Sequence, residues 1–147
     1  MARTLKTGHI PKDRCPIPSG SLVLTPHRAA AEHLGVPHVS LRSVAERILR
    51  RENIGVASHL TALHALKAAI KRIAPKLDAA AEADRLSQIL RTVLRIGIDL
   101  SSLRHHGSPR ARFLADVAEI YVNSLAELGL IDREAVLWRV SQLELER

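Results

Sequence analysis

Apolar positions form a short continuous run near the start of the chain, at residues 22–24. Such a run is typical of a buried strand, although three residues alone do not exclude a helix. Thr25 and Pro26 follow it. This pair favours a helix start, because threonine caps free amides and proline fits the first helical position. We therefore expect a strand, then a helix over residues 26–34 that closes at Gly35.

The same pattern recurs immediately. His38 and Val39 indicate a second short strand, and Ser40 is the expected cap of a second helix. Apolar residues then follow the helical spacing, while the arginines of this segment mostly lie off the apolar face. The apolar positions are Leu41, Val44, Ala45, Ile48 and Leu49, and the arginines are Arg42, Arg47, Arg50 and Arg51.

The rest of the chain has helical periodicity after a break at residues 53–57. Capping residues and helix-ending Gly or Pro divide it into four helices, with a loop predicted over residues 98–107. They are a helix capped by Ser58 and ended by Pro75, one from about Ala79 to Gly97, one that begins at Ser108-Pro109 and ends at Gly129, and one capped by Asp132.

These patterns predict a mainly α fold: two short strands, each followed by a helix, form a small α/β element beside a helical subdomain of about four helices. We assign residues 1–20 to an irregular leader, residues 21–57 to the α/β element and residues 58–147 to the helical subdomain. No fixed-period repeat is present.

Charge and composition limit the classes of partner that we expect for this chain. The net charge is +7 and only Phe113, Tyr121 and Trp138 are aromatic. A polyanion or an acidic protein is a suitable partner, whereas a base-stacking platform is disfavoured. Cys15 is the only cysteine, which fits a reducing compartment. The pattern contains neither a signal peptide nor a membrane-spanning run, so we expect a cytoplasmic protein without membrane contact.

Motifs for catalysis or cofactor binding are not found in the sequence. The glycines are too dispersed for a phosphate-binding loop, and no apolar strand ends in paired acids. His59 and His64, five residues apart, point away from one another on a helix, and His105-His106 alone does not make a metal site. Asp132 and Glu134 are assigned to helix capping. We predict no catalytic residue, metal or cofactor for this chain alone.

Basic residues recur at i,i+4 spacing, which places two positive groups about one turn apart on a helix. Such pairs can follow a phosphate chain, but a solvated helix face explains them as well. Both interpretations stay open at this stage. The pairs are Arg47 with Arg51, Lys67 with Lys71, and Arg91 with Arg95.

Three segments, in order, carry a resemblance to a known family. TPHRAAAEHL resembles motif Ia of UvrD/RecB-type superfamily 1 helicases, and VSLRSVAERIL is similar to the strand and helix that follow it. Here Ser40, Leu41 and Arg42 stand where the family has Thr, Phe and His. YVNSLAELGLIDREAVL resembles the helix-turn-helix that precedes the Walker B strand, and the helices between resemble subdomain 1B of AddB-like subunits of helicase-nucleases.

The resemblance implies a piece of a longer protein, a non-catalytic helicase-like module of a DNA recombination or repair helicase-nuclease. The ATP-binding loop either precedes the sequence or has been lost, and the second is favoured. Partners would be single-stranded DNA and a helicase or nuclease subunit, or downstream domains of the same chain. Its DNA-binding residues would be Thr25, His27, Arg28, Ser40 and Arg42. The alternative is a helical protein-interaction module without DNA binding.

Overall fold

The computed structural model describes residues 22–25, 38–105 and 108–145. Contacts divide the chain into two compact units, Met1–Ser40 and Leu41–Arg147. This division falls earlier than the boundary predicted after residue 57, because the helix that follows Ser40 packs with later helices. The predicted leader and the predicted helix over residues 26–34 lie outside the described residues.

The first unit contains two short parallel strands, β1 (Val23–Thr25) and β2 (His38–Ser40), close to where the sequence predicts them. Their register pairs Val23 with His38 and Thr25 with Ser40. Side chains alternate between the two faces of a strand. Leu22 and Leu24 are accordingly exposed on one face, at 65% and 53%, while Thr25 on the other face is buried.

The second unit is mainly helical, which confirms the predicted fold class. Its described part has six helices and two further strands, β3 and β4. The helices are α1 (Leu41–Arg51), α2 (His59–Ile73), α3 (Ala79–Ile96), α4 (Leu100–His105), α5 (Pro109–Glu127) and α6 (Val136–Leu145), and the strands are β3 (Gly55–Val56) and β4 (Leu130–Ile131).

Several helix ends follow the capping rules. Ser58 Oγ accepts a hydrogen bond from the amide of Thr61 at 3.1 Å, which confirms the predicted cap of α2. Asp78 Oδ1 accepts from the amides of Ala80 and Ala81 at the start of α3. Helix α3 ends at Gly97 in the left-handed conformation, with φ 66°. Local sequence therefore sets these boundaries.

The loop predicted over residues 98–107 is wrong, since it contains the short helix α4. The sequence signal for this helix is Asp99, just before its first residue. The Asp99 carboxylate accepts hydrogen bonds from the amide of Ser101 at 3.1 Å and from the hydroxyl of Ser102 at 3.0 Å. Leu100 and Leu103, one turn apart, pack against the main core. The region predicted to hold about four helices thus contains five.

A second parallel strand pair, β3 with β4, joins the start of the segment that contains α2 to α5 to the end of that segment. Gly55 N donates to Gly129 O at 2.9 Å, and Ala57 N donates to Ile131 O at 2.8 Å. A Cβ at Gly55 would lie 2.8 Å from Leu130 Cδ2, so glycine permits this close approach. Two-residue strands give too little periodicity to predict from sequence.

Buried side chains form two clusters in the second unit. The larger, which we call the main core, lies between α2, α3 and α5 and includes Leu66, Ile70, Val117 and Leu125. The smaller, which we call the α1–α6 cluster, consists of Ala45, Leu49 and Val136 with partly buried neighbours from β3, β4 and α6. The packing of α1 in this second cluster explains the early boundary at Ser40.

Candidate functional site

The first candidate site lies at the carboxyl ends of β1 and β2, where Thr25 and Ser40 are direct partners. Thr25 is 5% exposed, and its Oγ1 has no hydrogen-bond partner among the described residues. Ser40 is half-buried. Two of the five predicted DNA-binding residues are thus neighbours on one edge of the sheet, while His27 and Arg28 lie outside the described residues.

Arg42, the fifth of these residues, contacts its own protein. Its Nη2 donates to the backbone oxygen of Arg133 at 3.0 Å and lies 3.7 Å from Glu134 Oε1. Arg95 binds the same carboxylate, with Nη2 2.7 Å from Glu134 Oε2. Glu134 therefore joins α1 and α3 to the turn before α6, and the structure gives both arginines an intramolecular role that the sequence did not predict.

The remaining basic candidates differ in exposure and in their contacts with the rest of the protein. Arg47 and Arg51 are exposed on α1 and make no ion pair within the described residues. Lys71 Nζ donates to the backbone oxygens of Pro75 and Leu77, both at 3.3 Å, so it holds the turn after α2. Lys67 is partly buried and Arg91 is exposed. Among the predicted pairs, the α1 pair is the one whose two cations are both exposed and unpaired within the described chain.

The structure also shows a site that the sequence did not predict, built around Tyr121 and Asp132. Tyr121 is 2% exposed, and its hydroxyl donates a hydrogen bond to Asp132 Oδ2. Asp132 Oδ1 accepts from the amide of Glu134 at 2.7 Å, within the turn that precedes α6. Helix α6 itself begins at Val136, so the prediction that Asp132 caps the last helix is wrong. Burial, and then the bond to Asp132, raise the pKa of Tyr121 above its ordinary value.

A cavity of about 640 Å³ lies above this pair, and we call it the Tyr121 cavity. Its volume is in the range of small-molecule sites. Its lining combines apolar side chains with arginines and carboxylates from α1, α3 and the turn at residues 132–134. The start of α2 at Ser58 and His59 also opens on it. Only the tertiary fold brings these residues together, because their sequence positions show no common motif.

A second hollow, of about 460 Å³, lies beside Trp138 and is mostly apolar. The indole packs on Gly97, where an added Cβ would come within 2.2 Å of Trp138 Cδ2. Asp132 also lines this hollow, but both of its oxygens are already hydrogen-bonded. The two cavities thus differ in chemistry although they share one residue.

The histidines do not assemble with acids. In the described part of the chain, no three His, Cys, Asp or Glu side chains converge as metal ligands would. His59 and His64 are both exposed on α2, and His105 Nδ1 lies 2.7 Å from the backbone oxygen of Ser101, within its own helix.

Two findings complete the description of the chain. No helix in the described ranges combines the length and the apolar character needed to cross a membrane. Comparison with protein-family models, with curated protein sequences and with solved structures finds no match.

Proposed function

We propose that this chain is a non-catalytic, helicase-like module of a cytoplasmic DNA recombination or repair helicase-nuclease. It would bind or guide single-stranded DNA and contact a partner subunit. The observation that carries the proposal is the parallel register of β1 and β2, which places Thr25 and Ser40 side by side where both strands end.

Ligands of parallel sheets bind at the carboxyl ends of the strands, where the following helices begin and offer free amides to anions. The resemblance to UvrD/RecB-type helicases assigns the same edge to the DNA backbone. Because the Thr25 side chain is buried, we assign the side-chain contacts to Arg28, His27 and Ser40. Thr25 then serves mainly to hold the edge in place.

The charge of the chain supports a phosphate partner. The net charge is +7, and Arg47, Arg50 and Arg51 are exposed on α1 without ion pairs in the described part of the chain. Cations on one helix face can neutralise successive phosphates. Arg42 contributes less on this basis, because its guanidinium already contacts Arg133 and Glu134.

The test is fluorescence anisotropy with a labelled single-stranded oligonucleotide over a series of salt concentrations. We expect affinity to fall steeply with salt, and Arg28→Ala or the double variant Arg47→Ala, Arg51→Ala to reduce the slope by roughly 0.7 per lost phosphate contact. Arg72→Ala is the matched control, since Arg72 is an exposed arginine on a different helix. Absence of binding at low salt overturns the proposal.

One observation favours the second candidate, a helical protein-interaction module. Parallel sheets normally have both faces covered, yet Leu22 and Leu24 leave one face of β1 exposed. A protein layer packed on this face would bury both leucines. The oligonucleotide titration separates the two functions, because this module predicts no binding at low salt. Turnover of ATP by the purified chain would instead support an enzyme.

A further inference from the structure

The charged groups that line the Tyr121 cavity are of two kinds. Asp132 and Glu134 are occupied, the first by Tyr121 and the amide of Glu134, the second by Arg42 and Arg95. Four other charged side chains of the lining make no ion pair or hydrogen bond with the rest of the described chain, and they are Arg91, Arg133, Glu46 and Asp84. The cavity therefore presents two cations and two carboxylates that are not ion-paired within the described chain, and the charge of Arg91 also acts on the Tyr121 hydroxyl.

Arg91 and Asp84 lie on the same helix, α3, seven residues apart. Residues seven apart share a face of a helix, and the rise of about 1.5 Å per residue separates them by roughly 10 Å along its axis. Both are exposed and both line the cavity. One wall of the cavity thus has a cationic end and an anionic end at a fixed spacing.

Helix α2 adds to the polarity of this wall. It is joined to α3 by a short turn, so the two neighbours run antiparallel and the start of α2 lies towards the Arg91 end of α3. The first amides of a helix have no acceptor within it and favour an anion. Ser58 and His59, at this start, are part of the lining.

The lining also contains apolar side chains. They include Leu63, Leu66 and Leu90, which belong to the main core or pack against it. An apolar surface favours burial of a hydrocarbon segment, by about 0.8 kcal/mol per CH₂ group. A ligand with a single charge would leave carboxylates or arginines of the opposite end without a partner.

We propose that the Tyr121 cavity binds a small zwitterionic molecule, with its anionic group at Arg91, its cationic group at Asp84 and an apolar segment over the leucines between them. The volume of about 640 Å³ accommodates a ligand of that length. Arg133 and Glu46, on other walls, supply a second charge of each sign. Neither Arg91 nor Asp84 is among the residues assigned to the sheet edge.

Calorimetric titration with a series of medium-chain ω-amino carboxylates tests the proposal, with the chain-matched carboxylate and the chain-matched amine as single-charge controls. We expect one chain length to bind best and each control to bind at least about tenfold more weakly. Equal binding of the plain carboxylate or the plain amine overturns the two-ended site. Absence of binding for every chain length overturns it as well.

Variants locate the site on the protein. Arg91→Ala and Asp84→Ala should each weaken the best ω-amino carboxylate about tenfold or more, because each removes one charged partner. Arg72→Ala and Glu127→Ala, exposed residues outside the lining, should leave the affinity unchanged. Unchanged affinity in Asp84→Ala, or equal losses in the controls, contradicts the assignment.

Asp84→Ala also separates this site from DNA binding. Removal of a negative charge leaves oligonucleotide affinity equal or higher, whereas it lowers affinity for the zwitterion. Unfolding monitored through Trp138, the only tryptophan, shows whether the variant is folded. Loss of both affinities in a folded variant contradicts the proposed role of Asp84.

Discussion

The two hydrophobic clusters of the second unit are stabilised in different ways. The main core consists of many buried side chains from three long helices, whereas the α1–α6 cluster has three. The smaller cluster is flanked by polar ties: the β3–β4 pair, and Glu134 with its two arginines. Apolar burial suffices where long helices meet, and hydrogen bonds and charges supplement it where little apolar area is available.

Truncation in the main core should have the largest effect. Ile70 is fully buried, so Ile70→Ala should lower the free energy of unfolding by about 2–5 kcal/mol, through lost transfer energy and a residual cavity. Chemical denaturation followed by helical circular dichroism measures this change. Leu49→Ala, also at a fully buried position, is the matched variant in the α1–α6 cluster.

The two variants should differ in where exchange of amide hydrogens accelerates. Leu49→Ala should release α1 and α6 first and leave α2, α3 and α5 protected, because their core lies elsewhere. Ile70→Ala should reduce protection throughout the unit. Uniform loss of protection in Leu49→Ala would show that the two clusters unfold as one.

Gly97→Ala should have the next largest effect. The backbone at Gly97 is left-handed, and alanine in this conformation lowers the free energy of unfolding by roughly 1–2 kcal/mol. The added Cβ would also collide with the Trp138 indole. Gly129→Ala is the control: its φ is 67°, but the nearest atom to an added Cβ is 4.0 Å away. We expect Gly97→Ala to lose more stability than Gly129→Ala. A red shift of Trp138 fluorescence is expected in Gly97→Ala and not in Gly129→Ala.

Equal effects of the two glycine variants would mean that Trp138 moves aside at no cost. Helix α6 would then depend on the α1–α6 cluster and not on its contact with α3.

Loss of the Glu134 charge should have a smaller effect. Glu134→Gln should lower the free energy of unfolding by about 1 kcal/mol. The effect is this small because Arg95 stays largely in solvent, although the Glu134 carboxylate is mostly covered. A double-mutant cycle of Glu134→Gln with Arg95→Ala measures the coupling. Additive effects of the two substitutions would show that the ion pair between Glu134 and Arg95 does not stabilise the contact with α3.

Acid should produce the smallest effect, at the start of α4. Hydrogen bonds from Ser101, and then from Ser102, hold the pKa of Asp99 at about 2, below the ordinary 3.8. A depressed pKa contributes stability above pH 3.8, and this contribution is lost as the pH falls through about 2. NMR titration of the Asp99 carboxyl checks the pKa, and Asp99→Asn should remove the acid-dependent fraying of α4. An ordinary Asp99 pKa contradicts this prediction.

Local rules explain what could be predicted from the sequence. The cap at Ser58 and the glycine stop at Gly97 act within a few residues, and the apolar stripe of α5 needs only helical periodicity. Even here the predicted helix, which ended at Gly129, extended too far: α5 ends at Glu127, and Leu128 after it is 65% exposed.

Apart from α4, whose signal at Asp99 is local, the main unpredicted features join distant residues. The bond from Arg42 to the backbone of Arg133 links positions 91 residues apart, and Arg95 reaches Glu134 across 39. Charge and spacing alone could not distinguish these arginines from the exposed Arg47 and Arg51. The Tyr121 cavity has the same origin, since its lining comes from five separate segments of the chain.

The pairing of β3 with β4 has a topological consequence. It fixes the entrance of the helical region next to its exit, with both strands pointing the same way. The segment between them starts and ends at hydrogen-bonded neighbours, an arrangement that tolerates insertions. Changes in length among α2 to α5 can then be absorbed without moving the two anchoring strands.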